Sequence, residues 1–166
     1  MVVSGWSVVD GCSPLNPGTQ HARAPAMRIT SLDDLQVFQL SRVLADEISA
    51  VLTRPGFQRD WELRRQMANS SARIPSQIAE GYGQRSDRHC AHFQSIARGS
   101  CNEMCAHLSV ACGRGYITVD EREDLIRRYV RIGKGLTRWI SYLEDRVGRS
   151  SSVAGSDWEP TTDGSN

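Results

Sequence analysis

Residues 73–86 read Arg73-Ile74-Pro75-Ser76-Gln77-Ile78-Ala79-Glu80-Gly81-Tyr82-Gly83-Gln84-Arg85-Ser86, and their reading decides the fold. Ile74, Ile78 and Tyr82 recur every four residues, so they share one side of a helix. Gly81 and Gly83 supply the backbone freedom that releases a helix. Ser86 stands where its hydroxyl can accept from the unsatisfied amides of a new first turn. The stretch therefore predicts helix, tight link, helix. Pro75 lies well inside the first of these helices and removes one internal hydrogen bond, which predicts a kink.

Working outward, the chain on the N-terminal side supplies the first helix. It is expected to start after Ser31, with Asp34 completing an acidic variant of the capping box. Val37, Ser41, Leu44, Ile48 and Val51 alternate steps of four and three, the seam spacing of a bundle helix, and Pro55-Gly56 stops it. Asp60 can cap the second helix, whose inward face is assigned to Leu63, Met67, Ser70, Ser71, Ile74 and Ile78. On the C-terminal side, a third helix is expected from about Asp87 to Arg114. Its apolar stripe is Phe93, Ile96, Ala97, Ser100, Met104, Leu108 and Ala111, and Gly99-Ser100 permits a neighbouring backbone to come close. Thr118 and Glu121 form a capping box for the fourth helix, where Leu125, Tyr129, Ile132, Leu136, Trp139 and Leu143 keep the alternation of four and three.

No strand pattern competes with these periods. Short links favour antiparallel neighbours, so the expected fold is all-α, an antiparallel up-and-down four-helix bundle with a proline-kinked second helix. The bundle is assigned to residues 29–148. Residues 1–28 and 149–166, rich in Ser, Gly, Pro and Thr, read as flexible tails, and Met27 is expected to be the initiator. Trp61, Ile126, Val130 and Ile140 fall outside the seams and widen the apolar faces in a way that would suit subunit contacts.

The 166 residues are 39% hydrophobic and 23% charged, an ordinary globular balance for one domain with a real core. No apolar run approaches the roughly 18 residues needed to span a bilayer, and the first residues lack the basic start and apolar middle of a secretory signal. A cytoplasmic protein is expected. Five cysteines, Cys12, Cys90, Cys101, Cys105 and Cys112, make no disulfide-scaffold pattern and read as reduced thiols. Cys101, Cys105 and Cys112 lie near one another around a helix, as small packing residues would. Net charge is +1, but residues 27–149 carry 19 Lys and Arg against 15 Asp and Glu, a balance of +4. All but one of the basic residues are arginine, which favours bidentate contacts to phosphate or carboxylate.

The string Ile74 to Ser86, followed by His92-Phe93, Ile96-Ala97-Arg98-Gly99-Ser100, Glu103, Gly115-Tyr116-Ile117-Thr118 and Ile132-Gly133, resembles a known family. It is similar to the four helix bundle family associated with intervening sequences of large-subunit ribosomal RNA, over about Leu32 to Arg146. The resemblance implies an up-and-down bundle, often a homopentamer, with no established enzyme activity. A related set of bundles accompanies the reverse transcriptases of diversity-generating retroelements, which implies nucleic-acid or nucleic-acid-processing protein partners. Members carry an Arg-Arg pair about six residues before the proline. This chain has Ala68-Asn69 there, and its own pair, Arg64-Arg65, stands four residues earlier, about one helical turn away.

The candidate binding residues are a basic stripe on the fourth helix, Arg127, Arg131, Lys134 and Arg138, at steps of four, three and four. A rotation of 100° per residue sets them opposite the Leu125 to Leu143 seam. Such a row can neutralise successive phosphates, although it also suits a solvated face that complements the helix dipole. Arg64 and Arg65 are candidates to enlarge the patch. Glu80 is expected as a structural clamp that accepts backbone amides or pairs with Arg85, in a motif with Ile74, Pro75, Ile78, Gly81, Gly83 and Ser86. His89-Cys90-Ala91-His92 lacks the spacing of a closed metal site on one helix, and Gly81-Tyr82-Gly83 lacks the strand or lysine of a phosphate loop. No nucleophile motif occurs. The sequence thus favours a non-enzymatic, oligomeric bundle without cofactor or metal that binds structured RNA or DNA as an accessory factor. The alternative is a protein-interaction scaffold with no nucleic-acid contact.

Overall fold

The computed structural model describes residues 31–154, with side chains through Arg149. Met27, Cys12, the whole of the expected tail 1–28 and residues 155–166 of the tail expected over 149–166 lie outside the described residues. Ser31 and Asp34 close the expected capping box, but around a single 3-10 turn, Leu32–Asp34. Five α-helices follow: α1 Gln36–Val51, α2 Pro55–Arg59, α3 Trp61–Tyr82, α4 Asp87–Gly113 and α5 Val119–Ala154. No strand is present among the described residues.

The extra helix, α2, corrects the reading of Pro55-Gly56 as a plain stop. Pro55 occupies the first turn of α2, where its missing N–H is no loss. The five-residue turn drives Phe57 wholly into the core and against Tyr116, edge to face at 5.1 Å between ring centroids. Gly56 sits so close beneath the same ring that a Cβ there would come within 2.5 Å of it.

Asp60 caps α3 by accepting from the Leu63 amide, and Ser86 caps α4 by accepting from His89. Thr118 and Glu121 make the reciprocal box that starts α5. The glycines of the opening stretch act differently from expectation. Helix α3 runs through Gly81 to Tyr82, and Gly83 caps it with an ordinary right-handed φ of −76°. Backbone freedom is used instead at Gly115, with φ +74°. There the Tyr116 amide donates to the Ala111 carbonyl and the Gly115 amide to Cys112, the paired bonds of a Schellman ending for α4. The chain stays helical on both sides of Pro75.

Paired contacts set the register. Arg54 meets Glu121 and Arg128 meets Glu47, so α1 and α5 run antiparallel. Asp60 meets Arg114 while Ile78 meets Gln94, which does the same for α3 and α4. Asp87 meets Arg146 and Arg98 meets Thr137, which does so for α4 and α5. Helix α4 lies between α3 and α5, and α1 bridges the other side, so α3 and α5 are diagonal.

The seams of α1 and α3 are buried at every expected position. Tyr82 departs: each four-residue step advances 400°, so two steps from Ile74 rotate it about 80° off the core, and it is exposed. In α4 the expected Phe93 and Ile96 are only half-buried, while Cys90, Ala91, Gln94 and Cys101 are buried. The reason is which side of α4 meets each neighbour: Gln94 turns to α3, donating to the Ile78 carbonyl, while Cys90 and Ala91 pack with Ile140 and Leu143 of α5 as a second, smaller cluster. Helix α5 continues to Ala154, beyond residue 148, where the sequence reading ends the bundle.

Candidate nucleic-acid interface

Helix α5 is amphipathic by construction. Leu125, Tyr129, Ile132, Leu136, Ile140 and Leu143 are buried, with Trp139 half-buried beside them. Burying that face forces the opposite one outward, and Arg127, Arg131, Lys134 and Arg138 are all exposed. Together with Val130 and Gly135 they line one surface depression of about 320 Å3. Eleven residues separate Arg127 from Arg138, about 17 Å along the axis. Between Leu125 and Leu143 the chain carries Arg127, Arg128, Arg131, Lys134 and Arg138 and no acidic residue.

Asp120, Glu121, Glu123 and Asp124 stand at the start of α5, where they complement the helix dipole, and Glu144 and Asp145 follow the acid-free run. Glu121 accepts from Arg54 at 2.7 Å and 3.1 Å, and this bidentate pair holds its carboxyl down to about 2. Asp124 accepts from Arg127 at 2.7 Å and from Arg128 at 3.2 Å, and these arginines, Arg127 foremost, hold it below the usual carboxylate range. Arg128 also reaches Glu47 of α1 at 2.6 Å. Arg128 therefore ties α1 to α5, whereas the stripe faces away from both neighbours. Within the stripe, the charge of Arg127 is partly offset by Asp124 of its own helix.

The remaining expected residues fall elsewhere. Arg64 and Arg65 are exposed on α3, diagonal to α5, so they do not enlarge the α5 patch. Glu80 neither pairs with Arg85 nor caps α4; its carboxylate accepts from Gln77 at 3.4 Å and its carbonyl from Gln84 at 3.2 Å. Gly81 is buried where α4 crosses α3, and a Cβ there would come within 2.2 Å of the Gln94 amide. His89 and His92 are exposed beside a buried Cys90, and among the described residues no three His, Cys, Asp or Glu are grouped to hold a metal ion. Cys101 is buried, and burial pushes its thiol up to about 12. No helix among the described residues is long and apolar enough to cross a membrane.

The profile of the 23S rRNA-intervening sequence protein family matches residues 33–138, which takes in all five helix starts and the whole basic stripe. The chain belongs to that family. No curated protein matches this 23S rRNA-intervening sequence protein. Among solved structures it is similar to a protein of unknown function from the S23 ribosomal protein family of Bacteroides thetaiotaomicron VPI-5482. The two share 23% identity with a TM-score of 0.58, covering 63% of this chain and 97% of the other. At that identity the likeness speaks for the fold alone.

Two features of this family member escape helix-period reasoning. Gln94 is fully buried, donating to the Ile78 carbonyl at 3.4 Å, and a polar residue carries no apolar signal. The Arg54–Glu121 clamp joins residues 67 apart in sequence, so only the folded register brings them together. The acid-free run from Leu125 to Leu143, by contrast, is legible in the sequence as an unbroken charge block.

Proposed function

We propose that this family member is a non-enzymatic, cytoplasmic, oligomeric bundle that docks on structured RNA or DNA through α5, as an accessory to a nucleic-acid-processing partner. The observation that carries the reading is the acid-free middle of α5, whose four exposed cations share one depression on the outer face. A rigid row of cations about 17 Å long engages several phosphates without reading bases, so affinity is electrostatic and sequence-tolerant. Repetition of the row around an oligomer strengthens the field with no new motif.

The test is titration of a labelled RNA hairpin and a DNA duplex with the full chain and with a variant carrying Arg127→Gln, Arg131→Gln, Lys134→Gln and Arg138→Gln. Four phosphate contacts predict a fall in affinity of roughly 100-fold between 50 and 200 mM salt. The variant should bind weakly and lose most of that salt slope. Binding by the variant equal to that of the natural chain, or no binding by the natural chain at low salt, rejects the reading.

A further inference from the structure

The corner where α2 meets α3 carries the most exposed large apolar side chain described. Trp61, at the first position of α3, is 66% exposed. An indole left in water on a helix with a well-filled seam is unused for folding. Its neighbours are cationic. Arg65 holds its guanidinium 5.5 Å from the indole centroid, fixed there by Glu62, which accepts from it at 2.8 Å. Arg64 donates to Gln58 at 3.2 Å, and Arg59, at the C-terminus of α2, is exposed one turn before. Arg114 joins the same corner through its ion pair with Asp60. The corner thus carries four arginines, of which Arg65 stands over the indole, against two acids, Asp60 and Glu62, each already occupied by an arginine.

We propose that Trp61, with Arg59, Arg64 and Arg65, forms a second nucleic-acid site that takes unpaired nucleotides, a base stacking on the indole and the flanking phosphates meeting the arginines. The chemistry differs from that of α5. A row of cations without an exposed aromatic tracks a duplex backbone, whereas an aromatic platform needs a base free of its pair. The fit is one of charge and shape. A nucleotide supplies a flat π face and an anion one bond chain away, and the corner offers an exposed π face with Arg65 over it and further arginines on the adjoining residues. Because α3 and α5 are diagonal, the site lies on the opposite side of the bundle from the α5 stripe, so one RNA with a stem and an unpaired segment can use both only by wrapping around it. The partner class rests on the nucleic-acid reading above, but the surface and the form of nucleic acid do not.

Two probes separate them: a labelled oligouridine of about 12 nucleotides and a blunt RNA hairpin whose loop is a non-nucleotide linker, so that every base is paired. Both are titrated against the full natural chain, Trp61→Ala, Trp61→Phe, the double variant Arg64→Gln with Arg65→Gln, and the α5 quadruple variant. Because Trp61 is exposed, its substitutions leave the core intact, and circular dichroism verifies the helix content. Trp61→Ala should weaken oligouridine binding about 5- to 150-fold, the loss of one stacked base, and leave hairpin binding unchanged. Trp61→Phe should keep most of the affinity, and the arginine double variant should lower the salt slope for oligouridine by about 1.4. Hairpin binding that persists while Trp61→Ala holds oligouridine as the natural chain does, or while the natural chain ignores oligouridine, overturns this site alone. Failure of both probes with the natural chain overturns it together with the α5 reading.

Discussion

Gly81→Ala and Gly99→Ala are the same chemical change in two helices, and the structure gives them opposite signs. Alanine stabilises a helix interior over glycine by about 1 kcal/mol. At Gly99 nothing lies within 4 Å of a new Cβ, so the full gain should appear. At Gly81 the Cβ would stand 2.2 Å from Gln94 Nε2, 3.0 Å from Phe93 Cβ and 3.2 Å from Gln94 Cδ. Gln94 is fully buried, so its amide has little room to swing, and Phe93 Cβ moves only with the α4 backbone. Overpacking of this kind costs about 1–3 kcal/mol; taking the upper half of that range and subtracting the propensity gain leaves a net loss of about 1–2 kcal/mol. The two variants should therefore differ by about 2–3 kcal/mol in urea unfolding followed by circular dichroism, at one fixed protein concentration because oligomerisation shifts apparent stability. Adding Gln94→Ala to Gly81→Ala should recover part of the loss, with a coupling of about 1 kcal/mol or more. A Gly81→Ala protein as stable as Gly99→Ala would refute the close crossing of α3 and α4 at this point.

Three further outcomes follow from buried and paired groups. Glu121 has its carboxyl held down to about 2 by Arg54, so the pair contributes stability that is complete above the ordinary value of 4.5 and is lost as pH falls through the folded value. Glu121→Gln should flatten the stability profile between about pH 5 and 2, by under about 1 kcal/mol because both side chains are well exposed to solvent screening. A profile as steep as that of the natural chain would remove Glu121 from the acid transition. Tyr129 is buried, and its hydroxyl, like that of Ser71, finds no hydrogen-bond partner. Tyr129→Phe should be neutral or stabilising by up to about 1 kcal/mol, and a urea midpoint lowered by more than that would show that the hydroxyl is satisfied. Cys101, with its thiol pushed up to about 12 by burial, should resist iodoacetamide at pH 8 until the protein unfolds, while half-buried Cys112 reacts first. Peptide mass spectrometry reads the order, and early modification of Cys101 would contradict its burial.

In α1 and α3 the helical spacing was sufficient: every expected inward residue from Val37 to Ile78 is buried. The caps at Asp60, Ser86 and Thr118 were equally legible, because a cap is a local hydrogen bond between residues three apart. The basic stripe was legible for the same reason, as the complement of an apolar seam.

The rest depended on neighbours that sequence distance hides. Phe93 and Ile96 keep the helical period, yet they yield the core to Gln94, which meets α3 at Ile78, and to Cys90, which packs with α5. Gly81 is in the quoted stretch, but its use is space for Gln94 rather than a turn, and only the crossing of two helices reveals it. Arg64 and Arg65 look like partners of the α5 stripe when charges are counted along the chain. The bundle places them diagonally across the core, beside Trp61. Periodicity and capping, which act within about a turn, were thus determined by the amino-acid sequence alone. Which faces meet, which charges share a surface and which glycine must stay small were decided by the tertiary register, because those depend on residues tens of positions apart.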